Sequence, residues 1–351
     1  MNNNLFNPHD TGIKNGNYFG FPNNPDSCDV LLISVPWDVT VSYRHGTSLG
    51  PEAIIEASVQ LDFFDYEIKN AWETSIASLP ISNEIKKQNS ELRKLAEEII
   101  QKLELGEPLN EKLINNQKLI NAQCARLNSS IKDICFAYLS DNKLIGIVGG
   151  DHSVPLGLIE ALCKKHNSFG ILHIDAHADL RDSYEGFEFS HASIMFNVLK
   201  HKNISKLVQV AIRDVSAPEV RLSETDKRIY VFSDYHLKEA EYNGKTWNQQ
   251  CLEIVKQLPE KVYISFDIDG LMPDLCPNTG TPVPGGLDFN KAMHLLHVLH
   301  RSGKTIVGFD LCEVAPGKDD DWDANVGARV LYKLCQLAIS NEQLRVTNYE
   351  L

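Results

Sequence analysis

Apolar residues in this chain fall into short runs broken by turn residues and charges. The first clear run, Val30 to Val35, predicts a strand. Gly50-Pro51 then opens a predicted helix, because proline is tolerated in a first helical turn, and Ile54, Ile55 and Ala57 follow at helical spacing. Leu92, Leu95, Ile99 and Leu103 recur with charges between them over 90–104, and a second helical stretch spans about 111–138. From residue 144 the rhythm changes. Apolar runs at 144–148, 170–174, 207–212, 229–232, 262–266 and 305–310 alternate with helical segments such as 154–166 and 288–302. That alternation predicts an α/β fold with a doubly wound, mostly parallel sheet. In such sheets ligands bind beyond the carboxyl ends of the strands.

Residues 1–28, rich in Asn, Gly and Pro, read as an irregular arm. No internal repeat or linker divides the rest, so 29–351 is expected to form one domain with a helical insertion at about 85–139. A chain of 351 residues, 43% hydrophobic and 23% charged, can bury a large core. The net charge of −13 argues against a nucleic-acid partner and favours cationic substrates. No apolar run approaches the ~20 residues of a membrane span. The polar start lacks the apolar stretch of a signal peptide, and eight cysteines without a CxxC pair read as reduced thiols. A cytoplasmic location is expected.

Three segments carry chemistry: Gly149-Gly150-Asp151-His152-Ser153, Asp175-Ala176-His177-Ala178-Asp179 and Ser265-Phe266-Asp267-Ile268-Asp269-Gly270. Each contains or follows a predicted strand. Asp175, His177 and Asp179 are spaced by two, so an extended chain would turn all three to one side, and Asp267 and Asp269 share that spacing. The Gly-Gly pair permits a tight turn before His152. One such residue alone would be a cap or a hydrogen-bonded core group. Six in one crevice would repel unless cations lay among them, which predicts a binuclear site of hard divalent ions that activate water.

These segments resemble those of the ureohydrolase family (arginases, agmatinases, formimidoylglutamases and relatives) from about residue 30 to 338. The likeness extends to Ser42-Tyr43-Arg44-His45-Gly46-Thr47, to Thr279-Gly280-Thr281-Pro282-Val283-Pro284-Gly285-Gly286, and to Gly308 through Pro316. It implies a three-layer α/β/α sandwich, assembly as homotrimers or homohexamers, and two Mn²⁺ ions, with Ni²⁺ as the alternative. His152, Asp175, Asp179 and Asp267 would hold one ion. His177 with Asp175, Asp267 and Asp269 would hold the other, so that Asp175 and Asp267 bridge. Asp179 would also orient the shared solvent species. Glu313 would grip a guanidinium by paired charge-assisted hydrogen bonds, and His191 would shuttle a proton to the leaving amine, as an imidazole titrating near neutrality can. Urea and an amine or amino acid would be released.

The substrate is less determined. Where arginases carry an Asn and an Arg-Asp-Val-Asp motif to hold amino-acid groups, this chain has Arg181 and Arg213-Asp214-Val215-Ser216, which argues against arginase activity. Tyr184 to Ser193 is similar to agmatinase-type enzymes. Arg181 is similar to formimidoylglutamases and would bind a carboxylate; a surface pair with Asp182 or Glu185 is its alternative. Trp322 would cap the pocket over a small guanidinium, as in the guanidine-hydrolysing branch, or pack at a subunit contact. The leading expectation is an agmatinase-like hydrolase of a small guanidino compound. Hydrolysis of guanidine, a guanidino acid or formimidoylglutamate stands beside it, as does a catalytically silent scaffold subunit.

Overall fold

The computed structural model describes residues 7, 9–68, 70–139 and 143–337. Residues 1–6 and 8 of the expected arm, and 338–351 of the expected domain, lie outside the described residues. Among the described residues, eight strands form one sheet: β1 (Val30–Val35), β2 (Ile76–Ser78), β3 (Leu144–Gly149), β4 (Phe169–Ile174), β5 (Ile204–Val210), β6 (Ile229–Phe232), β7 (Lys261–Asp267) and β8 (Thr305–Cys312). Their order is β2-β1-β3-β8-β7-β4-β5-β6, and every neighbouring pair is parallel. Ten α-helices accompany them among the described residues: α1 (Gly50–Ser58), α2 (Asn83–Glu104), α3 (Glu111–Leu139), α4 (Leu156–Lys165), α5 (Ile194–Leu199), α6 (Ala217–Thr225), α7 (Asp234–Tyr242), α8 (Trp247–Gln257), α9 (Phe289–Arg301) and α10 (Trp322–Leu337).

Both faces of the sheet are covered, as a parallel sheet requires, so its strands are apolar throughout rather than alternating. In β1, Val30 and Leu32 enter a core shared with α1, α8, α9 and α10, whereas Leu31, Ile33 and Val35 enter a second core with α2, α3 and α4. In β4, Leu172 and Ile174 go to the first core and Phe169 and Ile171 to the second. The result is the expected three-layer α/β/α sandwich. The helical insertion supplies much of the second layer: α2 lays Leu92, Ala96, Ile99 and Ile100 inward from a Ser82 cap that accepts the Ile85 N–H. Residues 18–21 have no α-helix or strand, yet Tyr18, Phe19 and Phe21 are buried in the first core. The Phe19 ring lies 5.2 Å from that of Tyr332 on α10, and the Phe19 N–H donates to Ser58 at the end of α1.

Candidate metal centre and active site

Four adjacent central strands, β3, β8, β7 and β4, end at one place, and the residues just past them build the site. After β3 the chain runs hard against the 37 region: a Cβ on Gly150 would lie 1.9 Å from the Trp37 carbonyl oxygen, so no side chain fits. This close passage carries His152 to the crevice floor. After β4 the extended conformation stops at Ile174, and Asp179 takes a left-handed φ of 55°. The Asp175, His177 and Asp179 side chains therefore converge through a turn, not along a straight strand as their spacing suggested. The turn is tied by the His177 N–H donating to Asp175 Oδ1 at 2.6 Å and by the Arg213 and Asp214 N–H groups donating to the Ala176 carbonyl. After β7, the Asp269 N–H donates to Asp267 Oδ1 at 2.8 Å, and Asp269 Oδ1 accepts the Ala176 N–H at 3.0 Å.

His152 Nδ1 lies 3.0 Å from Asp175 Oδ2, 3.1 Å from Asp179 Oδ2 and 3.3 Å from Asp267 Oδ2. His177 Nδ1 lies 3.1 Å from Asp269 Oδ2 and 3.4 Å from Asp175 Oδ1. The two sets share Asp175, which turns a different oxygen to each. Such separations match the edges of an octahedron whose metal–ligand bonds are ~2.1–2.4 Å, within the range for hard divalent ions. The donors, imidazole nitrogen and carboxylate oxygen, suit such ions too. Asp267 faces the first set, while its other oxygen is engaged by Asp269.

Electrostatics point the same way. Burial, then the charges of Asp269 and Asp175, push the Asp267 carboxyl well above the usual range, and burial with the Asp175 charge pushes Asp179 up to about 6. Burial also opposes ionisation of Asp175, but the adjoining His173 and the bonds from His152, His173 and His177 hold it well below. Burial alone would lower both inner imidazoles. The carboxylates outweigh it, raising His152 well above its ordinary value and His177 to about 12. Left to themselves these groups gather protons; divalent ions supply the same charge at closer fit.

Residues the sequence reading passed over hold this floor in place. His173 Nε2 lies 2.8 Å from Asp175 Oδ2, while Gln209 Nε2 donates to His173 Nδ1 at 2.9 Å and to the Ala178 carbonyl at 2.7 Å. That pattern assigns the proton to Nε2 and makes His173 a prop for the shared carboxylate instead of a ligand, although its distances alone would admit it to the first set. His152 Nε2 contacts Ser265 Oγ at 2.8 Å, which leaves Nδ1 free to bind. Asp310, on β8, accepts from the Tyr263 hydroxyl at 2.7 Å and from the Phe266 N–H.

Glu313 follows β8 with a left-handed φ of 63°. Its N–H donates to the Gly150 carbonyl, its carbonyl accepts from Thr279 Oγ1 at 2.7 Å, and its Oε1 accepts the His152 N–H at 2.9 Å. Its Oε2 is buried without a partner. Burial and the charge of Asp151 push this carboxyl well above its usual range. A strained backbone and an unpaired buried acceptor both mark a place prepared for a ligand.

Above the floor lies a cavity of about 140 Å³ lined by His177, Asp179, Arg181, Tyr184, His191 and Thr281, among others. Arg181 meets neither Asp182 nor Glu185. Its guanidinium lies 4.7 Å from the Tyr184 ring centre, and its Nε is 3.7 Å from Glu219. Both Glu219 oxygens are already engaged, by the Leu180 N–H and by Ser216, which caps α6. His191, half-buried, leaves Nδ1 unpaired. Burial, then the charges of His177 and its neighbours, lower its imidazole to about 3, so it is neutral at physiological pH and does not titrate near neutrality as its sequence position suggested. Trp322 is not part of this cavity lining: it opens α10, 46% exposed, with its indole N–H donating to the Asp274 carbonyl at 2.9 Å.

Comparison with known proteins bears on this geometry. The sequence profile of the arginase family matches residues 28–336. The N(1)-aminopropylagmatine ureohydrolase of Thermus thermophilus is 31% identical, over 85% of this chain and 87% of its own. The guanidinobutyrase of Pseudomonas aeruginosa is 27% identical, over 90% of this chain and 88% of its own. In fold, the chain is similar to the agmatine ureohydrolase of Thermoplasma volcanium, with a TM-score of 0.66 over 90% of this chain and 92% of that one, at 24% identity.

Proposed function

This chain belongs to the arginase family, and from that premise we propose that the site at the ends of β3, β4, β7 and β8 hydrolyses a small guanidino compound, held by Glu313. The protein is a metal-dependent amidinohydrolase that releases urea. We assign His152, Asp175, Asp179 and Asp267 to one ion and His177, Asp175, Asp267 and Asp269 to the other, with Mn²⁺ as the metal and Ni²⁺ as the alternative. Divalent ions held by these residues would lower the pKa of a bound water, so that a nucleophile is available at neutral pH.

The chain's own residues do the rest. Glu313 Oε2 receives one edge of the planar guanidinium, whose charge restores the carboxylate that burial disfavours. Asp179 stands where it can accept a proton from the attacking solvent molecule and orient it. His191, neutral, offers the unpaired Nδ1 as a hydrogen-bond acceptor over the substrate, and passes a proton only after receiving one during the reaction. The observation that carries this reading is the buried, unpartnered Glu313 Oε2 beside two convergent ligand sets. Replacement by Gln keeps the shape but removes the charge. Glu313→Gln is expected to retain full metal content while kcat/KM falls by about two orders of magnitude, the worth of a lost charge-assisted bond of ~3 kcal/mol. Unchanged kinetics would remove Glu313 from the substrate site.

Agmatine-like substrates are favoured by the named relatives and by Asp214 on the cavity wall, which can take a distal ammonium. A second reading rests on Arg181, whose terminal nitrogens have no hydrogen bond among the described residues; it favours a guanidino acid. Urea release from agmatine, arginine, 4-guanidinobutyrate and guanidine, with formamide release from formimidoylglutamate in parallel, separates these. Assembly as trimers or hexamers and a cytoplasmic location are part of the same proposal. No helix among the described residues is long and apolar enough to cross a membrane.

A further inference from the structure

One wall of the cavity is the chain from Arg181 to His191, which contains neither helix nor strand before His191. At its centre Tyr184 and Phe187 exchange both backbone hydrogen bonds, at 3.1 and 2.8 Å, across a tight turn. Both turn residues are left-handed, Glu185 with a φ of 55° and Gly186 with a φ of 79°. Such turns favour Asn-Gly or Asp-Gly, and a Glu in first place keeps that conformation only where its surroundings impose it. Helix α3 imposes it. Gln117 Nε2 donates to the Glu185 carbonyl at 2.9 Å, Asn121 Nδ2 donates to the Gly186 carbonyl at 3.0 Å, and Asn121 Oδ1 accepts the Glu188 N–H at 3.0 Å. Gln117 and Asn121 are four apart and so share one face of the helix. The turn lies directly on that face, since a Cβ on Gly186 would be 2.1 Å from Gln117 Nε2.

We propose that α3, the second helix of the insertion, sets this wall of the substrate cavity, with Gln117 and Asn121 as positioning residues. The inference rests on the guanidino reading above and deepens it. Neither amide lines the cavity; both act through the turn. Tyr184 carries the effect. Its ring lies 4.7 Å from the Arg181 guanidinium and 6.2 Å from the His191 ring, and all three residues line the cavity. Phe187 is buried in the second core, and Asn197 Nδ2 holds the Glu188 carbonyl at 2.8 Å. Without the two amides the loop therefore stays attached, but its strained turn is free to relax. His191 has ties of its own nearby: the Arg181 N–H donates to the Ala192 carbonyl, and the Ser193 N–H to the Ser190 carbonyl. Release of the turn thus loosens the wall at Tyr184 and Arg181 while His191 stays in place, a loss in binding more than in the chemical step.

The test uses the full-length, metal-loaded protein and whichever guanidino compound the wild type hydrolyses. Helix α3 keeps its docking without the two amides, because Ile120, Cys124, Leu127 and Ile131 seat it in the second core. The double variant Gln117→Ala with Asn121→Ala is expected to retain wild-type metal content. Its KM should rise about tenfold with kcat within about threefold of wild type, because a wall ordered for only a fraction of the time weakens affinity by that fraction. Hydrogen exchange at the Tyr184 and Phe187 N–H groups, whose mutual bonds the substitutions leave intact, should quicken by about tenfold as well. Unchanged exchange, or a KM within about twofold of wild type, would overturn the proposal. Should the double variant fail to fold, Gln117→Glu decides, for it fills the same space and offers the Glu185 carbonyl no N–H. Faster exchange with a raised KM supports the role of α3, and wild-type values of both overturn it. A wild-type protein releasing neither urea nor formamide from any compound would instead overturn the guanidino reading, and exchange alone would then decide whether α3 holds the turn.

Discussion

His173 shows how far single residues were legible. It extends the run Asp175, His177, Asp179 by one more step of two, so the same period that pointed to those ligands points to it. Its role differs because Gln209 donates to its Nδ1, which leaves Nε2–H to brace Asp175. Sequence spacing cannot show that tautomer, since Gln209 comes from the neighbouring strand β5. Props of this kind typically contribute 10–100-fold to metal affinity. His173→Asn is therefore expected to weaken Mn²⁺ binding by about that factor while the circular dichroism spectrum stays unchanged; a chelator competition titration reads it, and equal affinity would leave His173 a mere core residue. His191 and Trp322 mark the limit of motif reading from the other side. A position in a motif says nothing of burial, which keeps His191 neutral, nor of a helix start, which sets Trp322 on the Asp274 carbonyl.

Elements with a clear apolar run were readable and the shortest strand was not. Predicted strands at 144–148 and 305–310 correspond to β3 and β8, each longer by one or two residues at its carboxyl end. The three-residue β2 is too short to show any alternation. Nor does periodicity reveal which distant segments α10 meets. That helix docks on the loop before β2: Lys333 pairs with Asp65, Tyr332 donates to the Phe63 carbonyl at 3.0 Å, and Phe19 and Phe63 pack on the Tyr332 ring. Side-chain exposure is 11% for Lys333 and 8% for Asp65, so loss of one partner strands the other charge in the interior. Asp65→Asn is expected to cost about 3 kcal/mol, a fall of roughly 5 °C in Tm at neutral pH. Burial raises the Asp65 carboxyl, but the bond and charge of Lys333 more than offset it and hold it below its ordinary value. A depressed carboxylate stabilises above its unfolded pKa and stops doing so as pH falls through the folded one. The gap in Tm between wild type and Asp65→Asn should accordingly shrink below about pH 4; a gap constant from neutrality down to acid would show that the ion pair is not its source.

At the scale of the whole molecule, one physical demand organises the fold. The parallel sheet brings four central strand ends to one crevice, and the chain, with a net charge of −13, loads that crevice with carboxylates and imidazoles. The class of fold was legible because an α/β alternation leaves few arrangements, and the meeting of the six proposed ligands because each sits where a predicted strand stops. What holds them apart or together was not, since it lies in contacts across strands. Ions bound there link β3, β4 and β7, so they should stabilise the native state as a unit, by about 3 kcal/mol at a hundredfold excess over Kd. Protons compete for the same ligands. With Asp179 raised to about 6 and His177 to about 12, the unloaded site carries protons that each ion must displace, and affinity therefore rises with pH. Thermal melts of chelator-treated protein with and without Mn²⁺ should show a metal-dependent rise in Tm that is large at pH 8 and fades as pH falls through about 6. A site whose ligands were already free of protons would instead give a rise that is flat across this range. A flat response, or no rise at all, would mean that the carboxylates and imidazoles at these strand ends stabilise one another without divalent ions.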